Sequence, residues 1–219
     1  MKLSTARELI TPIVNKPFCE YVPSEVLKDA ILNKGKTGQF LELTIGLKLS
    51  SSTLDFEDGE LKTNKCDQLG IPKETMFITQ VSSIIDELIA TQPFEETKLY
   101  RKLSHLLYVP ICKTGSPADW MYLPCLEVNL SLPKYSELKA ILEADYYSIC
   151  KQINAQLSQS PCSTLHTVNG NFLQIRTKDS KPYHPIFSRH YNRIVSDKNR
   201  AFYFKKDYMQ YIVSLEKQL

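Results

Sequence analysis

Apolar and polar positions change their period along this chain, and each change marks an element. Ser24 precedes EVLKDAIL, where Val26, Leu27, Ala30 and Ile31 fall on one helical face. Ser24 suits an N-cap, because its hydroxyl can accept a backbone N–H that the first helical turn leaves unbonded. Lys34–Gly38 reads as a loop. Its lysines and glycines suit a phosphate contact, but the spacing is not that of a P-loop. The apolar segment Phe40–Leu49 reads as a helix carrying Glu42. Short runs at Glu60–Thr63, Thr75–Val81, Leu106–Ile111 and Met121–Val128 read as strands, and Ser83–Ala90 as a short helix. After Pro133 a longer helix sets Leu138, Ile141, Leu142, Tyr146, Ile149 and Ile153 on one stripe. A turn at Val168–Gly170 leads to a strand at Phe172–Arg176, then a polar loop over Thr177–Lys198. Arg200–Lys205 reads as a strand, and Asp207 caps a last helix over Tyr208–Glu216. This order predicts a mixed α+β fold with a central sheet. It forms one domain over residues 1–219, with a division into two lobes placed near 128–133.

The 219 residues suffice for a real core, and 42% hydrophobic with 23% charged residues is an ordinary globular composition. No apolar run has the length of a membrane span, and the first residues lack the apolar stretch of a signal peptide. The six cysteines form no CxxC pair, and the four histidines show no zinc spacing. Buried free thiols in a cytoplasmic protein are the expectation. The net charge of +3 is uneven. From Gly170 to Leu219 ten Lys/Arg face four Asp/Glu, while acids prevail in the rest. A basic C-terminal part beside an acidic centre suits an enzyme that grips phosphates with one region and a cation with another. A basic solvated face is the plainer account of the same count.

Residues 55–63 read DFEDGELKT. On a strand, Glu60 and Lys62 share a face and Leu61 points the other way, toward the core. Asp55 or Asp58 can stand beside Glu60. Two carboxylates form a hard oxygen site suited to Mg²⁺, and a neighbouring ammonium can orient a water and stabilise charge on a phosphate. The plainer reading is a solvated turn entering an edge strand, with Glu60 and Lys62 as surface charges.

Several collinear segments together resemble the MutH mismatch-repair endonucleases and the related Sau-type restriction endonucleases that cut at GATC. ELKTNKCDQLGIPKETMF (Glu60–Phe77) is similar to the family's ELKT segment and the Gly-x-Pro-x-Glu-Thr stretch after it. RKLSHLLYVP (Arg101–Pro110) resembles the strand that carries a further lysine, and LEADYYSICKQI (Leu142–Ile153) the acidic-aromatic helix. GNFLQIRTK (Gly170–Lys178) and RAFYFKK (Arg200–Lys206) resemble the two C-terminal DNA-facing segments. The resemblance implies a restriction-endonuclease-like fold, with a central mixed sheet and two lobes around a DNA cleft. It implies Glu42 as a helix carboxylate near the site, Asp55 and Glu60 as Mg²⁺ ligands, Lys62 beside the attacking water, and Lys102 as a second active-site lysine. In one place the chain departs from the family. The connection before Glu60 is shorter by two residues, and Gly59 stands where the family has an apolar residue. Asp55 keeps the distance from Glu42 and is followed by Phe56, which favours it over Asp58. Arg176 is implied as a base reader, Lys178, Lys205 and Lys206 as DNA contacts, and Tyr203 as a residue near the adenine where a methyl group is sensed.

Three functions stand at this point. The first is a Mg²⁺-dependent, sequence-specific endonuclease on double-stranded DNA at GATC-like sites. It nicks in mismatch repair, responds to adenine methylation and is activated by a MutL-type partner. The second is a type II restriction endonuclease that cuts both strands. The third is a catalytically inactive DNA-binding module.

Overall fold

The computed structural model describes residues 1–23, 25, 36–47, 54–160 and 162–217. Ser24 and residues 26–35, and with them the helix expected there, lie outside this set. In chain order the helices and strands are α1 (Leu3–Ile10), α2 (Lys36–Thr44), β1 (Glu60–Cys66), β2 (Met76–Gln80), α3 (Ile85–Ile89), α4 (Lys98–Leu103), β3 (His105–Cys112), β4 (Met121–Tyr122), β5 (Leu126–Asn129), α5 (Ser136–Leu157), β6 (Val168–Asn169), β7 (Leu173–Thr177), β8 (Ile186–Ser188), β9 (Arg193–Ser196), β10 (Arg200–Phe204) and α6 (Lys206–Lys217). The fold is mixed α+β, consistent with a restriction-endonuclease-like fold. The chain forms two compact units, and each is discontinuous in sequence.

The first unit holds residues 1–74, 104–129 and 210–219. Its sheet is mixed. β1 runs parallel to β3, and the other edge of β3 pairs antiparallel with β4 at one end and β5 at the other. The strand expected over Met121–Val128 is therefore two short strands. Pro124 lies between them, and a residue without an N–H cannot continue a ladder. Leu61, Leu107, Val109 and Ile111 point from the sheet into the core, where Leu3 and Ile10 of α1, Leu41 of α2 and Phe56 join them. Leu3, Ala6 and Ile10 repeat at helical spacing and are all buried, which is why α1 forms although its apolar stripe is narrow.

The second unit holds residues 75–103 and 130–209. Its four-stranded sheet is antiparallel in the order β2-β10-β7-β6, so the second unit adds a sheet to the mixed one expected from the sequence. Met76, Ile78, Leu173, Ile175, Phe202 and Phe204 form the buried face of this second sheet. The long helix α5 buries the predicted stripe, with Ile141 only half covered. Asp145 lies on that buried face and is 2% exposed. Its Oδ1 accepts from Asn171 N at 2.6 Å and Asn171 Nδ2 at 3.0 Å, and its Oδ2 from Phe172 N at 2.6 Å and Leu173 N at 2.9 Å. A helix carboxylate thus anchors the entry to β7. The expected polar loop over Thr177–Lys198 is corrected by a β8–β9 hairpin, with Ile186 and Val195 turned inward.

Candidate active site

β1 opens at Glu60, and its side chains alternate. Leu61 enters the core, while Glu60 and Lys62 share the opposite face. Glu60 is 2% exposed, so it is not the solvated surface charge of the plainer reading. Lys62 Nζ donates to Glu60 Oε1 at 2.6 Å and to the Leu61 carbonyl at 3.2 Å. A buried carboxylate is costly without a facing cation, by several kcal/mol in effective terms, and Lys62 supplies that cation.

The turn before β1 fixes which acids join them. Phe56 is buried in the core, and its N–H donates to the Gly59 carbonyl at 2.9 Å. Gly59 fits because a Cβ there would lie 2.7 Å from the His105 carbonyl oxygen, on the neighbouring strand β3. This close approach is the physical reason for a glycine just before Glu60. Within the turn, Asp55 Oδ2 accepts the Leu61 N–H at 2.9 Å, which holds its carboxylate against the start of β1. Asp58 faces elsewhere. Its Oδ1 accepts the Leu3 N–H at 2.8 Å and so satisfies a donor in the first turn of α1. Its carbonyl lies 2.7 Å from His105 Nδ1.

Helix α2 brings Glu42 to the same group. The Tyr122 hydroxyl donates to the Thr37 carbonyl at 2.7 Å, and a Cβ on Gly38 would lie 3.2 Å from Thr63 Oγ1, so α2 lies close on β1. Burial raises the Glu42 carboxyl above its ordinary range. The charges of Asp55 and Glu60 add to the rise, and Lys62 opposes it. Glu42, Asp55, Glu60 and Lys62 thus form one electrostatic cluster in the first unit. Among the described residues, no three or more His, Cys, Asp or Glu side chains converge as a metal cage. Mg²⁺ does not need one, since one or two carboxylates with waters suffice, and the hard oxygens of Asp55 and Glu60 fit that requirement.

Lys102 belongs to the second unit, where it is half-buried on α4. The sequence reading, which carried this lysine into a strand, is corrected. Thr97 Oγ1 accepts the Tyr100 N–H at 3.0 Å, and Leu99 with Leu103 bury at helical spacing, so the segment winds before β3 begins. The expected DNA residues also lie in the second unit, Arg176 and Tyr203 on the outer face of its sheet and Lys178, Lys205 and Lys206 just beyond its strand ends. Tyr203 on β10 is opposite Phe77 on β2 and Gln174 on β7, and Arg176 is opposite Ala201. The Arg176 guanidinium lies 4.9 Å from the Tyr203 ring centroid, and Arg176 Nη1 donates to Thr75 Oγ1 at 3.2 Å. Tyr203 meets Phe77 edge-on, and Lys178 Nζ sits 3.2 Å from the Phe77 ring centroid. Lys178 follows the end of β7 and is exposed. Cations and aromatics thus alternate across this face. Tyr203 is half-buried on it and outside the core, and partial burial raises its phenol above the usual range while Arg176 works against that rise. Lys205 Nζ donates to the Gly170 carbonyl at 3.2 Å, and Lys206 is exposed at the start of α6. Phe77 is the member of this face that the sequence reading did not single out; its place opposite Tyr203 is a matter of strand pairing.

All six cysteines are free thiols. Burial raises the Cys66 thiol to about 12 and the Cys150 thiol to about 11, which keeps both protonated and poor nucleophiles. Among the described residues no helix is long and apolar enough to cross a membrane.

Residues 46–119 match the family model described as DNA mismatch repair enzyme MutH. The match covers about a third of the chain, and that segment is similar to the MutH family. It spans Asp55, Glu60, Lys62, Phe77 and Lys102; Glu42, Arg176, Lys178, Tyr203, Lys205 and Lys206 lie outside it. The matched family is one of DNA mismatch repair enzymes, which act on DNA. No curated protein matches the chain.

Proposed function

We propose that this chain is a Mg²⁺-dependent endonuclease that hydrolyses phosphodiester bonds at GATC-like sites. In this reading it nicks in mismatch repair under a MutL-type activator and senses adenine methylation. The observation that carries it is the buried Glu60–Lys62 pair with Asp55 and Glu42 in its field, inside or beside the matched segment. Asp55 and Glu60 would hold Mg²⁺, which when bound neutralises charge on the scissile phosphate. Lys62, fixed by Glu60 on the same strand face, orients the attacking water and favours its deprotonated form. Glu42 sets the charge of the cluster from α2. For Lys102 the resemblance implies the part of a second lysine that stabilises charge on a phosphate. On the outer sheet face, Arg176 reads a base edge and Tyr203 packs near the adenine, while Lys178, Lys205 and Lys206, beyond the strand ends, meet phosphates. The testing experiment incubates the protein and Mg²⁺ with unmethylated, hemimethylated and fully methylated GATC duplexes. Nicks on the unmethylated strand alone support the repair reading. Double-strand cuts without an activator move it to a restriction enzyme, and no cleavage of any duplex refutes it.

Asp55 and Asp58 separate cleanly. Asp55→Asn is expected to lose cleavage at an unchanged fold. Asp58→Ala is expected to cleave normally and to lose about 1 kcal/mol of stability, because it withdraws the acceptor of the Leu3 N–H. The reverse pattern in paired cleavage and melting assays moves the ligand to Asp58. For base reading, Arg176→Ala is expected to cost about 1–3 kcal/mol of discrimination between GATC and a scrambled duplex. Lys206→Ala is expected to weaken both duplexes alike and to reduce the salt dependence. Tyr203→Ala is expected to alter the preference between methylated and unmethylated adenine. Equal losses on both duplexes from all three variants, in a competition assay, reduce this face to a phosphate grip.

A further inference from the structure

We propose that His105 is a positioning residue for the metal site: from the back of the first unit's sheet it pins the turn that sets Asp55 against Glu60. This inference rests on the endonuclease reading. Glu60 and Lys62 occupy one face of β1, and Leu106 is the partner of Glu60 on β3. Side chains alternate along β3, so His105 falls with Leu107 on the other face, the one that packs on α1. His105 is thus on the wrong side of the sheet to meet a reacting phosphate. It acts on the backbone that carries the ligands.

The turn Phe56–Gly59 joins Asp55 to Glu60, and its tip is held from behind. The Asp58 carbonyl lies 2.7 Å from His105 Nδ1; a carbonyl oxygen only accepts, so Nδ1 is the donor. A Cβ on Gly59 would lie 2.7 Å from the His105 carbonyl oxygen, so the β3 backbone closes on the turn at the same place. The ring is itself held at its far edge. Its side chain is 18% exposed, and Nε2 lies 2.9 Å from Glu127 Oε1 on β5. Glu127 Oε2 in turn accepts from Arg7 Nη1 of α1 at 3.4 Å. A ring fixed at both nitrogens fixes the carbonyl it binds. The other side of the turn is anchored by the buried Phe56, whose N–H donates to the Gly59 carbonyl, and by Asp55 Oδ2, which accepts the Leu61 N–H at 2.9 Å. The place of Asp55 relative to Glu60 is therefore set by a turn clamped at its tip by His105. A cation shared by two carboxylates needs their oxygens at a fixed separation, and groups behind the ligands set it, so a loosened tip costs metal affinity while the DNA-binding surface is untouched.

The test compares the parent with His105→Asn, His105→Gln and His105→Phe. An asparagine amide can donate from near the place of Nδ1, a glutamine amide from near that of Nε2, and phenylalanine from neither. Single-turnover cleavage of a GATC duplex is measured across a Mg²⁺ series, and exchange of the Leu61 amide hydrogen is followed in the protein without metal or DNA. His105→Gln and His105→Phe are expected to need about 3–10-fold more Mg²⁺ for half-maximal cleavage, the scale of one lost hydrogen bond. Both are expected to exchange the Leu61 amide faster and to bind the duplex without Mg²⁺ as the parent does. His105→Asn is expected to bring both readouts back near the parent. An unchanged Mg²⁺ dependence in His105→Gln and His105→Phe overturns the proposal, whether or not Leu61 exchange or the melting temperature moves. A shifted Mg²⁺ dependence with Leu61 exchange unmoved also overturns it, since Asp55 is then not what moved. Losses in His105→Asn as large as in His105→Phe overturn it as well, because the bond to the Asp58 carbonyl then counts for nothing. Should His105→Phe fail to fold, the contrast of His105→Asn with His105→Gln decides alone. A parent that cleaves no duplex at any Mg²⁺ concentration refutes the endonuclease reading, and this inference falls with it.

Discussion

Lys62→Ala is expected to bind DNA as the parent does and to cleave it about 10²–10³-fold more slowly, or not measurably. The side chain is 13% exposed and points its ammonium at Glu60 Oε1, so it contributes little to any outer DNA surface. Its work in this account is confined to the reacting phosphate and water. Glu60→Gln keeps the shape of the side chain and removes its charge, and it is expected to lose cleavage to a similar degree. Binding by this variant is expected to hold or to tighten, since one negative charge near phosphate is gone. A melting curve on each variant separates lost chemistry from lost fold, because Lys62→Ala also removes the cation that faces a buried carboxylate. Normal cleavage by both variants ends the assignment of the centre to β1.

The second large effect is on stability. Asp145→Ala withdraws the acceptor for three backbone N–H groups at the entry to β7, of which the Leu173 bond is fully buried. A buried donor left without a partner costs about 1–3 kcal/mol, so a loss of roughly 3 kcal/mol or more is expected. Gly170→Ala attacks the same anchor from the other side, since its Cβ would lie 2.5 Å from the Asp145 carboxylate. Overpacking of this kind costs about 1–3 kcal/mol. For a chain this long, each kcal/mol lowers the melting temperature by about 2–4 °C, which thermal denaturation resolves. Melting temperatures within a degree of the parent for both variants contradict this role. The double variant is expected to cost less than the sum of the two, since both act on one anchor.

The Glu60–Lys62 face was legible because a two-residue period fixes it without knowledge of the rest of the fold. The α5 stripe was legible for the equivalent helical reason, repeated over about four turns. Other features depended on partners distant in sequence. Asp145 reads as one more helix acid until Asn171–Leu173 come to it. Asp58 looks as good a ligand as Asp55 until α1 claims it. The hairpin β8–β9 was missed because its outward positions, Phe187 and Ile194, are apolar and exposed, so neither strand shows apolar-in, polar-out alternation. The segment with Lys102 was given to a strand because the apolar run of β3 follows at once, while the short α4 is marked only by Thr97 and two buried leucines. The Tyr203–Phe77 contact depends on register between strands far apart in the chain, which no local pattern encodes.

The most direct test of the central claim is single-turnover cleavage of an unmethylated GATC duplex, with protein in excess over DNA, in the presence and absence of Mg²⁺. The parent with Mg²⁺ is expected to break the phosphodiester backbone at GATC. The parent without Mg²⁺, and Lys62→Ala with it, are expected to leave the duplex intact while still bound to it. Cleavage that persists without a divalent cation, or in Lys62→Ala at the parent's rate, contradicts the account.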